Sequence, residues 1–434
     1  MKVIIMNRKL WTALLLPLAL VFAAVPAEAE TIPVQRKAVI SHGNTSSGNR
    51  SAARRAQPRK SSTAASETEK KTTGLGPEVE VGLMTSGEVN VTGLADFKAE
   101  SAGKVVGKYG SGTRLSITRS GNTILLNGKK AGDKVYLTTG NSAPAFGVKG
   151  NRYRGNIKII PSAWGSGVTV VNAVPMELYL QSVVPAEAVP SWKLDALKAQ
   201  AVAARTYAIY HKNSYRSSGY DVTDDTRSQV YSGISSETEA TSRAVRETAG
   251  EIVTYGGKPI DALFHSSGGG YTENSENVWG SSVPYLRGVK EAYIGNPWTK
   301  TVSLSSFINT MKNYGYNVGK LKGIKLSRLR IGEAHRSADR GVSGRVKSFT
   351  LIGKNGSKTV SGDKLQSIYG LDSTLFDLNV KGSSLVITGY GYGHGLGLSQ
   401  WGAEAMAEKQ GNGKDYYKTI LTHYYTGTKV EKMY

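Results

Sequence analysis

The sequence predicts an α+β fold, a β-rich body with a few packed helices. Three observations predict it. From Glu78 onward, short runs of alternating polar and apolar residues recur between Gly and Asn turn residues. A long Ala-rich amphipathic segment at about residues 191–212 interrupts them, and no internal repeat or heptad run organises the remainder. With 39% apolar and 20% charged residues over 434 positions, the chain is globular and has length for two or three units of buried core at about 150 residues each.

Taken in order, Lys2, Arg8 and Lys9 precede the apolar run Leu10–Val25, and Ala27-Glu28-Ala29 follows it. A basic start, a short hydrophobic stretch and an A-x-A site make residues 1–29 an export signal, cleaved after Ala29. The run of 16 residues contains Pro17 and is shorter than the roughly 20 needed to span a bilayer comfortably; an uncleaved N-terminal membrane anchor is the alternative. Either form places the body outside the cytoplasm, secreted or in the cell wall. Residues 30–77 read as a flexible basic linker, with seven Lys or Arg and no acid between Arg36 and Lys60 and too few apolar side chains to offset ordering entropy.

The body, residues 78–434, divides into four stretches. Residues 78–170 are a β-rich part with strands expected at Val79–Met84, Arg114–Thr118, Asn122–Leu126 and Arg154–Pro161. Residues 171–299 hold the long helix and its loops. That helix is expected from Ser191, as N-cap, to His211, with Leu194, Leu197, Ala201, Ala204 and Ala208 on one narrow stripe that should pack closely on a neighbour. A second helix is expected over Glu237–Thr248. Residues 300–385 are an α/β sub-lobe with a helix near Ser305–Tyr314. Residues 386–434 carry a Gly-rich motif and a last helix from about Gln400 to Gln410.

Composition removes several functions. The chain has no cysteine, so disulfides, thiolate zinc sites, iron–sulfur clusters and a cysteine nucleophile are excluded. Lys and Arg number 55 against 33 Asp and Glu, a formal charge of +22. Outside the cytoplasm that charge points to anionic wall polymers and lipid head groups, not to nucleic acid. The stretch Gly389–Ala403 fails the dinucleotide fingerprint G-x-G-x-x-G, because Gly391 and Gly393 are followed by Leu396 where the third Gly is required. Walker A, H-E-x-x-H and G-x-S-x-G elements are also missing, which argues against ATPase, zincin and α/β-hydrolase functions.

Three segments concentrate polar chemistry. Glu187 lies between an apolar strand-like run and a turn bounded by Pro190, near Val183, Val184 and Val189. Partial desolvation there would raise its pKa and suit it to general acid work, although this segment alone favours a surface Glu on a turn, interacting with the helix N-terminus. Phe264–Asn274, FHSSGGGYTEN, sets hydroxyls and an imidazole on a Gly-rich loop able to approach a polyol closely. Gly389–Ala403, GYGYGHGLGLSQWGA, offers His394, Ser399, Gln400 and the face of Trp401. A structural turn and a glycine-rich corner of the core are the plain alternatives for these two.

Together the segments resemble the SpoIID/LytB family, named for stage II sporulation protein D and the amidase enhancer. The resemblance rests on PMELYLQSVVPAE, LDALKAQAVAARTYA, FHSSGGGYTEN, VPYLRGV, GYGHGLGLSQWGA and ILTHYYTGT, which occur in that order over roughly residues 78–434. It implies a lytic transglycosylase acting on peptidoglycan glycan strands. One carboxylic acid protonates the oxygen of a MurNAc–GlcNAc bond. The resulting carboxylate deprotonates the MurNAc 6-hydroxyl, which closes a 1,6-anhydro ring, so the second carboxylate of a hydrolase is unnecessary. Glu187 falls on the family's catalytic glutamate.

The resemblance also aligns Arg205 with the arginine of the AAR motif. On the long helix it would face Glu187, holding a substrate carboxylate or orienting the site. By motif position, Gln200, His265, Thr272, Tyr285, Arg287, His394 and Gln400 are the implied substrate-binding residues. Some relatives bind zinc through cysteines, which this chain lacks; no cofactor and no metal are expected, and only His265 and His394 remain for a weaker metal site. Position 287 is Arg where many relatives carry Lys, which keeps the charge and changes the fork geometry. The enhancer branch supplies the main alternative, a non-catalytic wall-binding protein that stimulates a partner N-acetylmuramoyl-L-alanine amidase. A structural wall protein is a third reading, which leaves the polar motifs without purpose.

Overall fold

The computed structural model describes residues 74–140, 144–410 and 415–434. The export signal and the linker as far as residue 73 lie outside the described residues. The described residues form one compact unit.

Twelve strands open the fold: β1 (Glu78–Ser86), β2 (Val89–Gly93), β3 (Phe97–Ser101), β4 (Lys104–Tyr109), β5 (Arg114–Ser120), β6 (Thr123–Leu126), β7 (Lys129–Gly132), β8 (Val135–Thr138), β9 (Phe146–Val148), β10 (Asn151–Tyr153), β11 (Asn156–Pro161) and β12 (Val168–Pro175). One sheet has the order β1-β12-β11-β8-β3-β4, and the short strand Val222–Thr223 pairs in parallel along β1. The other has the order β10-β9-β2-β5-β6-β7. Alternation does the folding work here: Val79, Val81 and Leu83 of β1, Val89 and Val91 of β2, and Leu115 and Ile117 of β5 share one core.

The chain then enters α1 (Met176–Glu187), where an apolar strand-like run had been expected. Helix wins because Leu178, Tyr179, Leu180, Val183 and Val184 all join the core, and because Pro185 falls only in the last turn. Pro175 has no side-chain cap to offer, so the first amides go to backbone: Met176 N–H donates to Pro77 C=O (2.9 Å) and Glu177 N–H to Leu75 C=O (3.0 Å). The last residues of the expected flexible linker, Leu75 and Pro77, are therefore fixed against the body.

The Ala-rich helix is α2 (Leu194–Tyr210). It begins later than expected. Ser191 does not cap it; Lys193 is the N-cap residue, and its N–H donates to Glu404 Oε2 (2.9 Å). Ala201, Ala204 and Ala208 face the β-lobe core, whereas Ala196, Ala199, Val202 and Ala203 face a second core. A helix buried between two cores explains why its stripe is alanine: small side chains let α3 (Glu239–Glu247), α7 (Gln400–Gln410) and α8 (Tyr416–Tyr424) pack close to its backbone. Helix α8 follows the helix expected to be last, and its Tyr417, Ile420, Leu421 and Tyr424 fill the second core.

Between α3 and α7 lie α4 (Ser275–Trp279), α5 (Leu304–Asn313) and α6 (Gly362–Tyr369). Helices α5 and α6 cover a third core with Phe349, Leu351, Phe376, Leu385 and Ile387 from two three-stranded sheets. Ser303 and Ser361 cap α5 and α6 by accepting the N–H of Ser306 and Lys364. No helix among the described residues is long and apolar enough to cross a membrane.

Candidate functional site

Helix α1 ends at Glu187, where Ala188 turns extended and Pro190 prevents continuation. The half-buried carboxyl accepts one backbone hydrogen bond, from Val230 N–H to Oε1 at 2.9 Å. Burial raises its pKa above the ordinary value, and the Val230 N–H offsets only part of that rise. A sparingly bonded carboxyl in partly desolvated surroundings keeps its proton to higher pH than a surface glutamate.

The start of α7 holds Glu187 from the other side. Gln400 Nε2 donates to Glu187 C=O (2.9 Å) and to Gln200 Oε1 on α2 (3.3 Å). Three helices thus converge on one acid. Gln200 Nε2 is buried with no protein partner.

The two Gly-rich loops meet through a parallel pair, Phe264–His265 against Leu398–Ser399, with Phe264 opposite Leu398 and His265 opposite Ser399. Trp401 N–H donates to Ser266 C=O (3.0 Å), and Ser267 and Tyr392 exchange backbone bonds at 3.2 and 2.9 Å. The peptide of Leu396 joins the two imidazoles: His265 Nδ1 donates to its C=O (3.0 Å), and its N–H donates to His394 Nδ1 (3.0 Å). His394 Nε2 then donates to Phe264 C=O (3.1 Å). Both rings are held neutral. Desolvation first, then the repulsion that a second imidazolium at His394 would add and the charge of Arg345, keeps the pKa of buried His265 well below normal. Desolvation and Arg345 lower His394 to about 4. Part of the His394 ring reaches solvent, so the firmer cause is Nδ1, which cannot gain a proton while accepting the Leu396 N–H. His265 Nε2 is left buried and unpartnered.

Glycine is required where this loop passes its neighbours. Gly395 has φ +82° and a Cβ there would overlap the Arg345 guanidinium at 2.3 Å; Gly397 has φ +66° and a Cβ would meet Leu263 C=O at 2.2 Å. Trp401 is 38% exposed and stacks on Tyr293 (5.2 Å between centroids, 16° between planes), with Trp192 edge-on at 5.0 Å. These rings form a partly open aromatic platform next to Gln400.

Four of the expected site residues bond elsewhere. Arg205 does not face Glu187. Its buried guanidinium forks onto Glu177 at the start of α1, Nε to Oε1 at 2.9 Å and Nη2 to Oε2 at 2.7 Å, and also donates to Glu251 C=O and Val245 C=O. Glu177 and Glu187 are ten positions apart on one helix, about 15 Å along its axis, too far for one guanidinium to serve both. Arg287 forks onto Glu276 (3.0 and 2.5 Å) and donates to Ser275 Oγ (2.8 Å). Thr272 Oγ1 ties two antiparallel segments together by accepting Val289 N–H (2.8 Å), and Tyr285 OH accepts Asp261 N–H (3.1 Å).

Sequence reading missed the supports beneath the loops. Arg345 is buried and donates to Gly268 C=O (3.2 Å) and Gly393 C=O (3.3 Å), one carbonyl from each Gly-rich loop. Glu291, whose pKa burial raises, accepts Gly270 N–H (3.0 Å). Glu273 accepts the N–H groups of Val342 and Ser343 and the Ser343 hydroxyl. Nothing in GRVKSF or VKEAY marks these charges as buried; only the unusual GGG run hinted that something packs against it. Among the described residues no group of three or more His, Cys, Asp or Glu converges as a metal site would require.

The fold and this site define an α+β protein that gathers one titratable carboxyl, two amides, a neutral imidazole pair and an aromatic platform from segments far apart in sequence. Residues 165–255 match the SpoIID family, described as stage II sporulation protein. Stage II sporulation protein D of Bacillus subtilis is 32% identical over 289 residues, covering 60% of this chain and 76% of that protein. An uncharacterised protein of Brachyspira hyodysenteriae is 34% identical over 290 residues, 66% of this chain and 74% of its own length. The amidase enhancer of Bacillus subtilis is 31% identical over 354 residues; they make up 71% of this chain and 48% of the enhancer, so the chain spans about half of that relative. The chain belongs to the SpoIID family.

Proposed function

We propose that this protein is an exported peptidoglycan lytic transglycosylase with Glu187 as its acid and base. The observation that carries the reading is the state of Glu187: half-buried, accepting one backbone N–H, with its pKa raised. Protonated Glu187 gives its proton to the oxygen linking MurNAc C1 to GlcNAc, and that bond breaks. The carboxylate then takes the proton of the MurNAc 6-hydroxyl as O6 bonds to C1. Proton and bonds balance without water, so a lone carboxyl suffices. Gln400, braced by Gln200, holds the backbone at Glu187 and so fixes the acid, buried His265 supports the Gly-rich loops through Leu396, and Trp401 offers an indole face to a pyranose ring. Arg205 is a structural partner of Glu177 in this account, and Thr272, Tyr285 and Arg287 shape the surrounding loops. Export through residues 1–29 and attraction of the basic residues 30–77 to anionic wall polymers would bring the protein to its substrate.

The test is to incubate the chain beginning at Glu30 with peptidoglycan, intact and stripped of stem peptides by an amidase, and to identify new glycan ends by mass spectrometry. Anhydro-MurNAc ends from the wild type and none from Glu187→Gln would support the reading. The likeness to a protein called amidase enhancer favours a second reading, stimulation of an amidase without glycan cleavage. No new ends, tight binding to sacculi and faster peptide release by an added amidase would select that reading instead.

A further inference from the structure

A trough of about 610 Å³ crosses the outer face of the sheet β10-β9-β2-β5, N-terminal to the stretch 165–255 and to Glu187. Strand register builds it. Arg152 pairs with Gly147, Gly147 with Thr92, and Thr92 with Arg114, so these four residues form one cross-strand row. Their strands alternate buried and outward positions, and Arg152 and Arg114 are exposed while Gly147 and Thr92 are half-buried between them. The floor is low because Gly147 has no side chain, and the exposed Arg152 and Arg114 flank it in the row. Three interstrand steps separate the two Arg backbones, about 14 Å.

Lys149 adds a third cation from the β9–β10 turn. Its φ of +50° is a left-handed conformation that an L side chain adopts at a cost, and the turn nevertheless carries a lysine there. None of the three cations has an ion-pair partner within 4 Å among the described residues. The acids nearby are Glu88, whose Oε1 accepts Ser116 Oγ–H (2.7 Å), and Asp224, close enough to Lys149 to feel its charge.

We propose that this trough binds a linear phosphodiester polymer of the cell wall, separately from the glycan at Glu187. Guanidinium forks match phosphate oxygens in bidentate fashion, and two of them carried on backbones about 14 Å apart, with Lys149 as a third cation, suit a chain of regularly repeated phosphates. Thr92, Asn90 and Asn151 line the trough and offer hydrogen bonds to the hydroxyls between phosphates. A membrane surface fits less well: the charges flank a concavity, and Leu94 at its margin is its exposed large apolar side chain. The inference does not depend on Glu187 being catalytic.

The experiment measures binding of the chain beginning at Glu30 to poly(glycerol phosphate), to inorganic phosphate and to vesicles of phosphatidylglycerol with phosphatidylcholine, at low and high salt. Arg114→Ala/Lys149→Ala/Arg152→Ala should weaken polymer binding about tenfold or more at low salt. The control Lys312→Ala/Lys358→Ala/Lys381→Ala removes the same charge elsewhere and should change it less than about twofold. Circular dichroism and an unaltered interaction with sacculi stripped of phosphate polymer would show that the trough variant is folded. Equal losses in the two triple variants would reduce the effect to net charge and overturn the proposal. So would undiminished polymer binding by the trough variant, or a loss confined to vesicles or to inorganic phosphate.

Discussion

Two glutamates on α1 stand in opposite circumstances. Glu177, at the start of the helix, is buried and receives four hydrogen bonds: two from Arg205, one from Gly250 N–H (3.1 Å) and one from Tyr434 OH (2.6 Å). Glu187, at the end, is half-buried and receives one backbone hydrogen bond. Both carboxyls have lost water, but only the first has had it replaced. A carboxylate that receives four donors is an element of structure, whereas one left short of donors is ready to hold and release a proton. What separates a structural acid from a chemical one here is its count of donors, and ten residues of helix keep them apart.

The comparison breaks most directly by exchanging what each glutamate loses. Glu187→Gln removes the transferable proton and leaves shape and size, so glycan cleavage should fall at least about 10²–10⁴-fold. Urea unfolding should move by less than about 1 kcal/mol, since one hydrogen bond is at stake. Arg205→Ala should do the reverse. It strands a buried carboxylate and should destabilise the fold by about 3–5 kcal/mol, read by the same unfolding curves. Adding Glu177→Gln to Arg205→Met removes the stranded charge while keeping an acceptor for Gly250 and Tyr434. That double variant should recover part of the stability and cleave normally per folded molecule. Cleavage lost in the folded double variant would show that Arg205 acts in the chemistry after all.

Two smaller effects sharpen the contrast. Glu187 must start protonated, and burial raises its pKa. The cleavage rate should therefore fall as pH climbs through that raised value, with a midpoint above the ordinary glutamate value of about 4.3. The linkage to stability has the same sign: the folded state binds this proton more tightly, so ionising Glu187 withdraws stability as pH rises from the ordinary to the raised pKa, and Glu187→Gln should remove that slope. A rate midpoint at or below the ordinary value would erase the difference between the two acids. Smallest should be Trp401→Ala, which takes away the platform held between Tyr293 and Trp192; glycan affinity should drop about two- to tenfold, for about 0.5–1.5 kcal/mol of aromatic contact, with the rate at saturation little changed.

Local pattern made α2 legible, because leucine and alanine at helical spacing leave few other interpretations. It failed at α1, where Val183, Val184 and Pro185 favour strand and turn and only burial against the β-lobe enforces helix. Strands such as β9 and β10, at three residues each, are too short to display a period. Glu187 and its amides could be found because the resemblance is carried by contiguous motifs. The partner of Arg205 could not, since it depends on the angle at which α2 crosses α1, which no local spacing encodes. A hint was present in PMELYLQ: a lone acid in an apolar run needs a cation from elsewhere. Arg345 and Glu291 gave no such hint, because their burial is created by loops that close over them from more than 20 residues away.

The central claim is that Glu187 breaks the glycosidic bond without water, and digestion of peptide-stripped glycan in ¹⁸O-water tests it directly. The account predicts anhydro-MurNAc ends free of ¹⁸O from the wild-type protein and no ends from Glu187→Gln. Reducing ends carrying one ¹⁸O per cut would contradict it and demand a second group to activate water.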